Sequence, residues 1–160
     1  MSNTGGRIVL KAERALKTVT LVVVGVGVAG AVGIMLFAGG GLPRDAASLG
    51  FLAWALLPYL PLALMSRVRT GSLTFAILLA AGSLGVVGFG LFVYVYAFLI
   101  ELDAQSALVF IFVPLYQWAG VLVTAAVAVL GWLIAHLVAR RAGARQFGDE
   151  RDAEATAQDP

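Results

Sequence analysis

The sequence RIVLKAERALK, residues 7–17, is followed after Thr18 by the apolar run VTLVVVGVGVAGAVGIMLFA, residues 19–38. A bilayer core of about 30 Å needs about 20 helical residues, so this run is long enough to cross it. The run carries no charge and is continuously apolar, whereas membrane β-strands alternate apolar and polar residues. The two stretches together predict a transmembrane helix with a basic flank on its N-terminal side.

Three further apolar runs follow along the chain, at about 49–66, 72–100 and 106–138. With 61% hydrophobic and only 12% charged residues, a soluble domain of 160 residues could not cover its apolar surface. Lipid accommodates that surface, and helices satisfy their own backbone hydrogen bonds within it. We therefore predict an all-α fold, a bundle of four transmembrane helices joined by short loops.

The basic residues predict the orientation of this bundle. Every Lys and Arg except Arg44 precedes the first run, lies between the second and third, or follows the fourth. Because loops rich in Lys and Arg stay in the cytoplasm, both termini are predicted to be cytoplasmic. The residues that we expect to determine this topology are Arg14, Lys17, Arg67, Arg69, Arg140 and Arg141.

The chain then divides into three parts. Residues 1–18 form a basic cytoplasmic segment, either an amphipathic helix at the membrane surface or a plain extension of the first span. Residues 19–138 form the membrane domain, and residues 139–160 form a charged cytoplasmic tail that is partly disordered. The hairpin at residues 94–117 exceeds the length that the core needs, so it either tilts or projects outward.

Prolines within the apolar runs predict bends. Pro58 and Pro61 lie in the second run and Pro114 lies in the fourth. Each removes a backbone donor and crowds the preceding turn, so a kink is expected near Leu57 and another at Pro114.

Small residues spaced by four predict where helices approach each other closely. The positions that we expect at such contacts are Gly25, Ala29 and Gly33 on the first helix, Ala81 and Gly85 on the third, and Gly120 on the fourth. The same stripes serve two arrangements, which are packing within one bundle or an oligomer face on the first helix.

Gln117 is the polar residue of most interest in the apolar runs. It could donate an interhelical hydrogen bond, to a carbonyl freed by Pro114 or to the third helix. The other hypothesis is a small polar pocket with Tyr94 and Tyr116, suited to a quinone or a lipid headgroup.

The residue types that the predicted spans lack argue against several classes of function. The predicted spans hold no Asp, Glu, Lys or Arg, and the chain has one histidine, His136, and no cysteine. Ionisable residues in a span are typical of proton relays and coupled transporters, so coupled transport is not expected. We expect no cofactor, no metal site and no catalytic activity, and the basic residues indicate topology rather than nucleic-acid binding.

The sequence favours a non-enzymatic integral membrane protein of the bacterial cytoplasmic membrane, a structural or accessory subunit. It would act through helix packing with itself, as a homo-oligomer, or with a larger membrane complex. The first alternative is a small oligomeric pore, holin-like or a passive channel. The second is a quinone- or lipid-binding protein.

Overall fold

The structure is a computed structural model that describes residues 4–38, 41, 45–68, 70–100 and 106–157. Every regular element in these ranges is helical, which confirms the all-α prediction. The helices are α1 (Thr4–Ala38), α2 (Ala46–Leu56), α3 (Tyr59–Arg67), α4 (Leu73–Val95) and α5 (Ser106–Ala157), with a π-helical turn at Tyr96–Ile100 after α4.

Three segments of the described chain are long and apolar enough to cross a bilayer: Gly6–Phe37, Leu73–Phe98 and Ile111–Arg141. Helices α2 and α3 meet the same criterion together, so the number of spans is three, or four if this pair is one span. The fold is therefore that of a helical, multi-pass membrane protein.

The second apolar run forms two short helices that meet at an angle of 43°. The bend lies where the sequence predicts a kink, because Pro58 follows Leu57 and has no N–H to continue the α2 ladder. The amide of Leu60 bonds the carbonyl of Leu57 at 3.2 Å, a tighter turn that starts α3.

Two helices extend beyond the predicted spans, and for α1 this is the predicted alternative in which residues 1–18 extend the first span. The basic segment continues without a break into the first span, so α1 has 35 residues and a length of about 52 Å. Helix α5 has 52 residues, passes through Pro114 and continues to Ala157, beyond the predicted limit at residue 138. Helix propensity explains the extension, since Ala, Arg and Glu are frequent after residue 139.

Side chains cap two of the helices. The Oδ1 of Asp45 accepts from the amide of Ser48 at 2.8 Å and starts α2, and the Oγ of Ser72 accepts from the amide of Phe75 and starts α4. Gly71 precedes this second cap with a φ of 61°, a left-handed conformation that glycine adopts without a steric penalty. These caps fix the entry of the chain into each helix.

Helix α4 lies between α1 and α5 and packs most extensively against both. Across from α4, α3 packs on α1 and α2 packs on α5, and the core between them is built from residues such as Val24, Leu62 and Leu79. The N-terminal half of α1 meets the end of α3, because the Nζ of Lys17 donates to the carbonyl of Val68 at 2.8 Å.

We call this end of the molecule the basic end, and the opposite one the far end. Helix α5 reaches the basic end near Gly131, which faces Thr74 and Leu78 at the start of α4, and it continues beyond this level to Ala157. The predicted topology residues described at this end are Arg14, Lys17, Arg67, Arg140 and Arg141, whereas Arg69 lies outside the described residues.

Candidate functional site

The side chain of Gln117 joins three helices in the middle of the molecule. It is 1% exposed, and its Nε2 donates to the hydroxyl of Tyr59 on α3 at 2.9 Å. The same nitrogen lies 3.5 Å from the carbonyl oxygen of Val86 on α4. We call Tyr59, Gln117 and the Val86 carbonyl the polar centre.

Two glycines make room for the polar centre. A Cβ atom at Gly27 on α1 would lie 2.8 Å from the Cε1 of Tyr59, and one at Gly90 on α4 would lie 2.8 Å from the Cδ of Gln117. Protein interiors are too closely packed to absorb such overlaps freely. The polar centre therefore depends on all four apolar runs of the chain.

The carbonyl of Val86 fixes the orientation of the Gln117 amide. A carbonyl only accepts hydrogen bonds, so the nitrogen of the amide faces it and Oε1 points the other way. Oε1 is buried and has no protein hydrogen-bond partner among the described residues, and the same is true of the Ser83 hydroxyl on α4. Each is an acceptor with unused capacity inside the protein.

The structure brings together only part of the predicted polar pocket. Tyr94 is buried on α4, four residues beyond the Gly90 that contacts Gln117. Tyr116 is 61% exposed and packs edge to face on Phe89, with ring centroids 6.4 Å apart. Tyr59 takes the place that we expected for Tyr116.

The predicted polar pocket includes no residue of the second apolar run, although Tyr59 lies directly beside Pro58. The signal was available, because a polar tip on a large ring immediately after a proline in an apolar run needs a buried partner. The direction of that tyrosine depends on the angle of the bend, which the sequence does not give.

A second polar contact lies beside Pro114. The Nε1 of Trp54 on α2 donates to the carbonyl of Ile111 on α5 at 3.3 Å. Pro114 has no N–H for the carbonyl of residue 110, and Trp54 donates to the next carbonyl along the helix. The two proline-containing segments therefore contact each other at two places. One is the Trp54 contact, which lies toward the far end, and the other is the polar centre.

An ion pair lies at the basic end of the interior. The Nζ of Lys17 pairs with Glu13 one turn earlier and also donates to the Val68 carbonyl at the end of α3. Glu13 is only 5% exposed. This carboxylate precedes the predicted first span, which begins at residue 19, and it lies on the same continuous helix.

The predicted packing stripe of α1 faces outward. Gly25, Ala29 and Gly33 are exposed, and a Cβ at either glycine would meet no atom within 4 Å. The opposite face makes the internal contact, with Gly27 against Tyr59 and Gly30 against Leu91. Packing within one chain, one of the two arrangements that we considered, does not use this stripe.

On α4, too, the predicted packing residues face outward and other small residues make the internal contacts. Ala81 and Gly85 are exposed, whereas their neighbours Gly82 and Gly90 face α5. A Cβ at Gly82 would lie 2.9 Å from the Cβ of Thr124. Of the predicted packing residues only Gly120 lies in an internal contact, where a Cβ would lie 2.8 Å from a methyl group of Val86.

The described residues hold no group of three or more His, Cys, Asp or Glu side chains that could bind a metal ion. Comparison with protein families, curated proteins and solved structures gives no significant match to this chain. Two features of the molecule bear on its function, which are the polar interior and the outer face of α1.

Proposed function

We propose that this chain is a non-enzymatic accessory subunit of a bacterial cytoplasmic membrane complex, which crosses the bilayer four times with both termini inside. The observation that supports it best is the outward stripe of Gly25, Ala29 and Gly33 on α1. The orientation follows from the concentration of Lys and Arg at the basic end.

A stripe of small residues packs more closely against another helix than against lipid chains. Between transmembrane helices no hydrophobic force operates, and small residues allow backbones to approach for van der Waals contact and Cα–H hydrogen bonds. Larger neighbours on α1, such as Val22 and Val26, flank the stripe and make it a shallow groove. A partner helix is the occupant that this groove accommodates.

The charges on the same face indicate what the partner is. Toward the basic end the exposed face of α1 carries Arg7, Lys11 and Arg14, while Lys17 is held inward by Glu13. Two copies of α1 in one membrane run parallel and would place these cations opposite each other. A different membrane protein, with acidic residues at the cytoplasmic end of its helix, complements the face better than a second copy.

The test places large side chains on the stripe, at positions where they meet no other part of the chain. We expect Gly25→Ile and Gly33→Ile to release the full-length chain from its native complex, because each new side chain occupies the groove. Gly50→Ile on α2 is the matched control, since Gly50 is also exposed with no atom within 4 Å of an added Cβ. The measurement is the mass of the tagged protein in mild detergent, by size-exclusion chromatography with light scattering.

Two results would contradict the proposal. One is wild-type protein that elutes as a monomer from its native membrane. The other is a complex whose mass is unchanged in both stripe variants while melting temperatures equal that of Gly50→Ile.

The alternative functions receive less support from the geometry. A pore between copies needs polar side chains on the outer surface of the spans, but Thr20, Ser83 and Gln117 face inward. A quinone pocket needs space beside Gln117, where the backbone of Gly90 is already in close contact.

A further inference from the structure

One exposed face of α5 changes from apolar to cationic toward the basic end. Val129 and Leu133 are followed on this face by His136 and Arg140, at intervals that keep side chains in line on a helix. All of these side chains are exposed, so the face is turned away from the core. We call Val129, Leu133, His136 and Arg140 the α5 stripe.

An aromatic neighbour positions the histidine of the α5 stripe. The indole of Trp132 packs against the core and stacks on the imidazole of His136, with ring centroids 5.6 Å apart and an angle of 15° between the planes. A stacked imidazole has lost rotamer freedom before any ligand arrives. Even a neutral imidazole has one ring N–H, so His136 presents a positioned hydrogen-bond donor at the surface.

Arg140 supplies a second donor one turn farther along the helix. Its guanidinium forms no ion pair in the part of the chain that the structure describes. The nearest acidic residue along α5 is Asp149, more than two turns away. Side chains on a helix lean toward its N-terminus, so that of Arg140 extends over the turn that carries His136. One anion can therefore accept hydrogen bonds from both residues.

The register of α5 on α4 gives the depth of these donors in the bilayer. Gly131 faces Thr74 and Leu78, which places Leu133 level with the first turn of α4. His136 lies about one turn and Arg140 about two turns beyond Leu133. The apolar half of the α5 stripe is therefore at the depth of acyl chains, and its donors are at the depth of headgroups.

We propose that the α5 stripe binds one anionic phospholipid of the leaflet at the basic end. The phosphate accepts hydrogen bonds from Arg140, whose guanidinium matches two phosphate oxygens, and from His136. An acyl chain lies along Leu133 and Val129. Arg141, which is also exposed, adds a positive charge that disfavours a headgroup with its own ammonium. The lipid class is therefore one of net negative charge, such as phosphatidylglycerol.

This site is separate from the face of α1 that we assign to a partner protein. Helix α4 lies between α1 and α5, and the two faces share no residue. They also differ in shape, since the α5 stripe carries large side chains where the face of α1 has glycine. Large side chains keep helix backbones apart, whereas a flexible acyl chain adapts to them.

The experiment is native mass spectrometry of the full-length chain in detergent, titrated with phosphatidylglycerol or with phosphatidylcholine of the same acyl chains. We expect wild type to bind phosphatidylglycerol with the lower apparent Kd. Arg140→Gln should raise that Kd about fivefold, the factor that corresponds to one cation near an anionic surface. His136→Leu should raise it less, because it removes a single donor.

The matched control is Arg67→Gln. Arg67 is also an exposed arginine at the basic end, but it lies at the end of α3, so its replacement should leave the Kd unchanged. Arg140→Gln changes an exposed side chain without an ion pair among the described residues, and its melting temperature should equal that of wild type. Inorganic phosphate in excess should not displace the lipid, because it has no chain to cover Leu133.

Three results would overturn the proposal. They are equal affinity of wild type for the two lipids, an equal loss of affinity in Arg67→Gln and Arg140→Gln, and complete displacement of the lipid by inorganic phosphate. The second would indicate a general attraction to positive charge, and the third a site for a free anion. None of them bears on the partner of α1, which the light-scattering experiment tests separately.

Discussion

At the scale of single residues, the interior is built from pairs in which one member is large and the other is glycine. Gly90 with Gln117, Gly27 with Tyr59, and Gly120 with Val86 all follow this rule. Each glycine lets a backbone approach the side chain that crosses from the neighbouring helix. The buried polar contacts thus depend on residues that have no side chain.

Gly90→Ala tests this dependence. The added methyl overlaps the amide of Gln117, and we expect a loss of about 1–3 kcal/mol in stability, the usual cost of overpacking. The measurement is the thermal midpoint in detergent. Gly88→Ala, two residues away and facing open space, should be neutral or slightly stabilising. The double variant Gly90→Ala with Gln117→Ala should regain part of the loss, and no recovery would mean that the overlap is not the cause.

The ion pair at the basic end gives a second prediction. Lys17→Met leaves the Glu13 carboxylate buried without its partner, and breaking a buried pair costs about 3–5 kcal/mol. Adding Glu13→Gln removes the uncompensated charge, so the double variant should be more stable than Lys17→Met alone. Chemical unfolding of the four proteins gives the coupling energy, and additive effects would contradict a direct pair.

At the scale of elements, the register between α4 and α5 decides which groups meet. The Cβ of Val86 would lie 3.9 Å from a Cβ at Gly120. A disulfide requires a Cβ separation of about 3.5–4.5 Å, so the two positions are suited to one.

The chain has no cysteine, so engineered thiols can be followed without background. We expect Val86→Cys with Gly120→Cys to form a disulfide on oxidation with copper phenanthroline, seen as loss of maleimide addition in the intact mass. Gly85→Cys with Gly120→Cys should stay reduced, because Gly85 faces outward. The reverse result would show that α4 is rotated relative to α5.

The N-cap residue Asp45 makes the stability of α2 depend on pH. The amide of Ser48, and then its hydroxyl, hold the pKa of Asp45 below its ordinary value of 3.8. A lowered pKa means that the cap stabilises α2 above that ordinary value and loses its effect as the pH falls through the lowered one.

Amide exchange in the first turn of α2, corrected for intrinsic rates, should therefore lose protection only on acidification below about pH 4. Asp45→Asn keeps a capping oxygen without a titrating group, so its protection should not vary with pH. An equal loss of protection in both proteins would point to a different group.

At the scale of the whole molecule, the proposed orientation puts the basic end in the cytoplasm. Ala46 at the far end and Ala139 at the basic end are both exposed, and each can carry a single cysteine. A maleimide that does not cross membranes should label Ala46→Cys on intact cells, and Ala139→Cys only after the cells are opened. Labelling of Ala139→Cys on intact cells would invert the proposed topology.

The sequence alone determined that the chain is helical, where its apolar segments lie and where the second run bends. These properties follow from local chemistry, since continuous apolar runs satisfy their backbone only as helices and Pro58 cannot continue a ladder. It also identified Gln117 as a residue that needs a buried partner.

Tertiary structure alone decided which face of each helix is internal. Gly25 and Gly27 are two residues apart on opposite sides of α1, and glycine is too frequent in this chain for spacing to choose between them. The bend angle of α2 and α3 aimed Tyr59 at Gln117, and the rotation of α5 turned Tyr116 outward. Glu13 is buried on the same continuous helix as the first apolar run, and its partner Lys17 also bonds the carbonyl of Val68 after α3. These outcomes depend on how four segments meet in space, and the pattern within any one segment does not contain them.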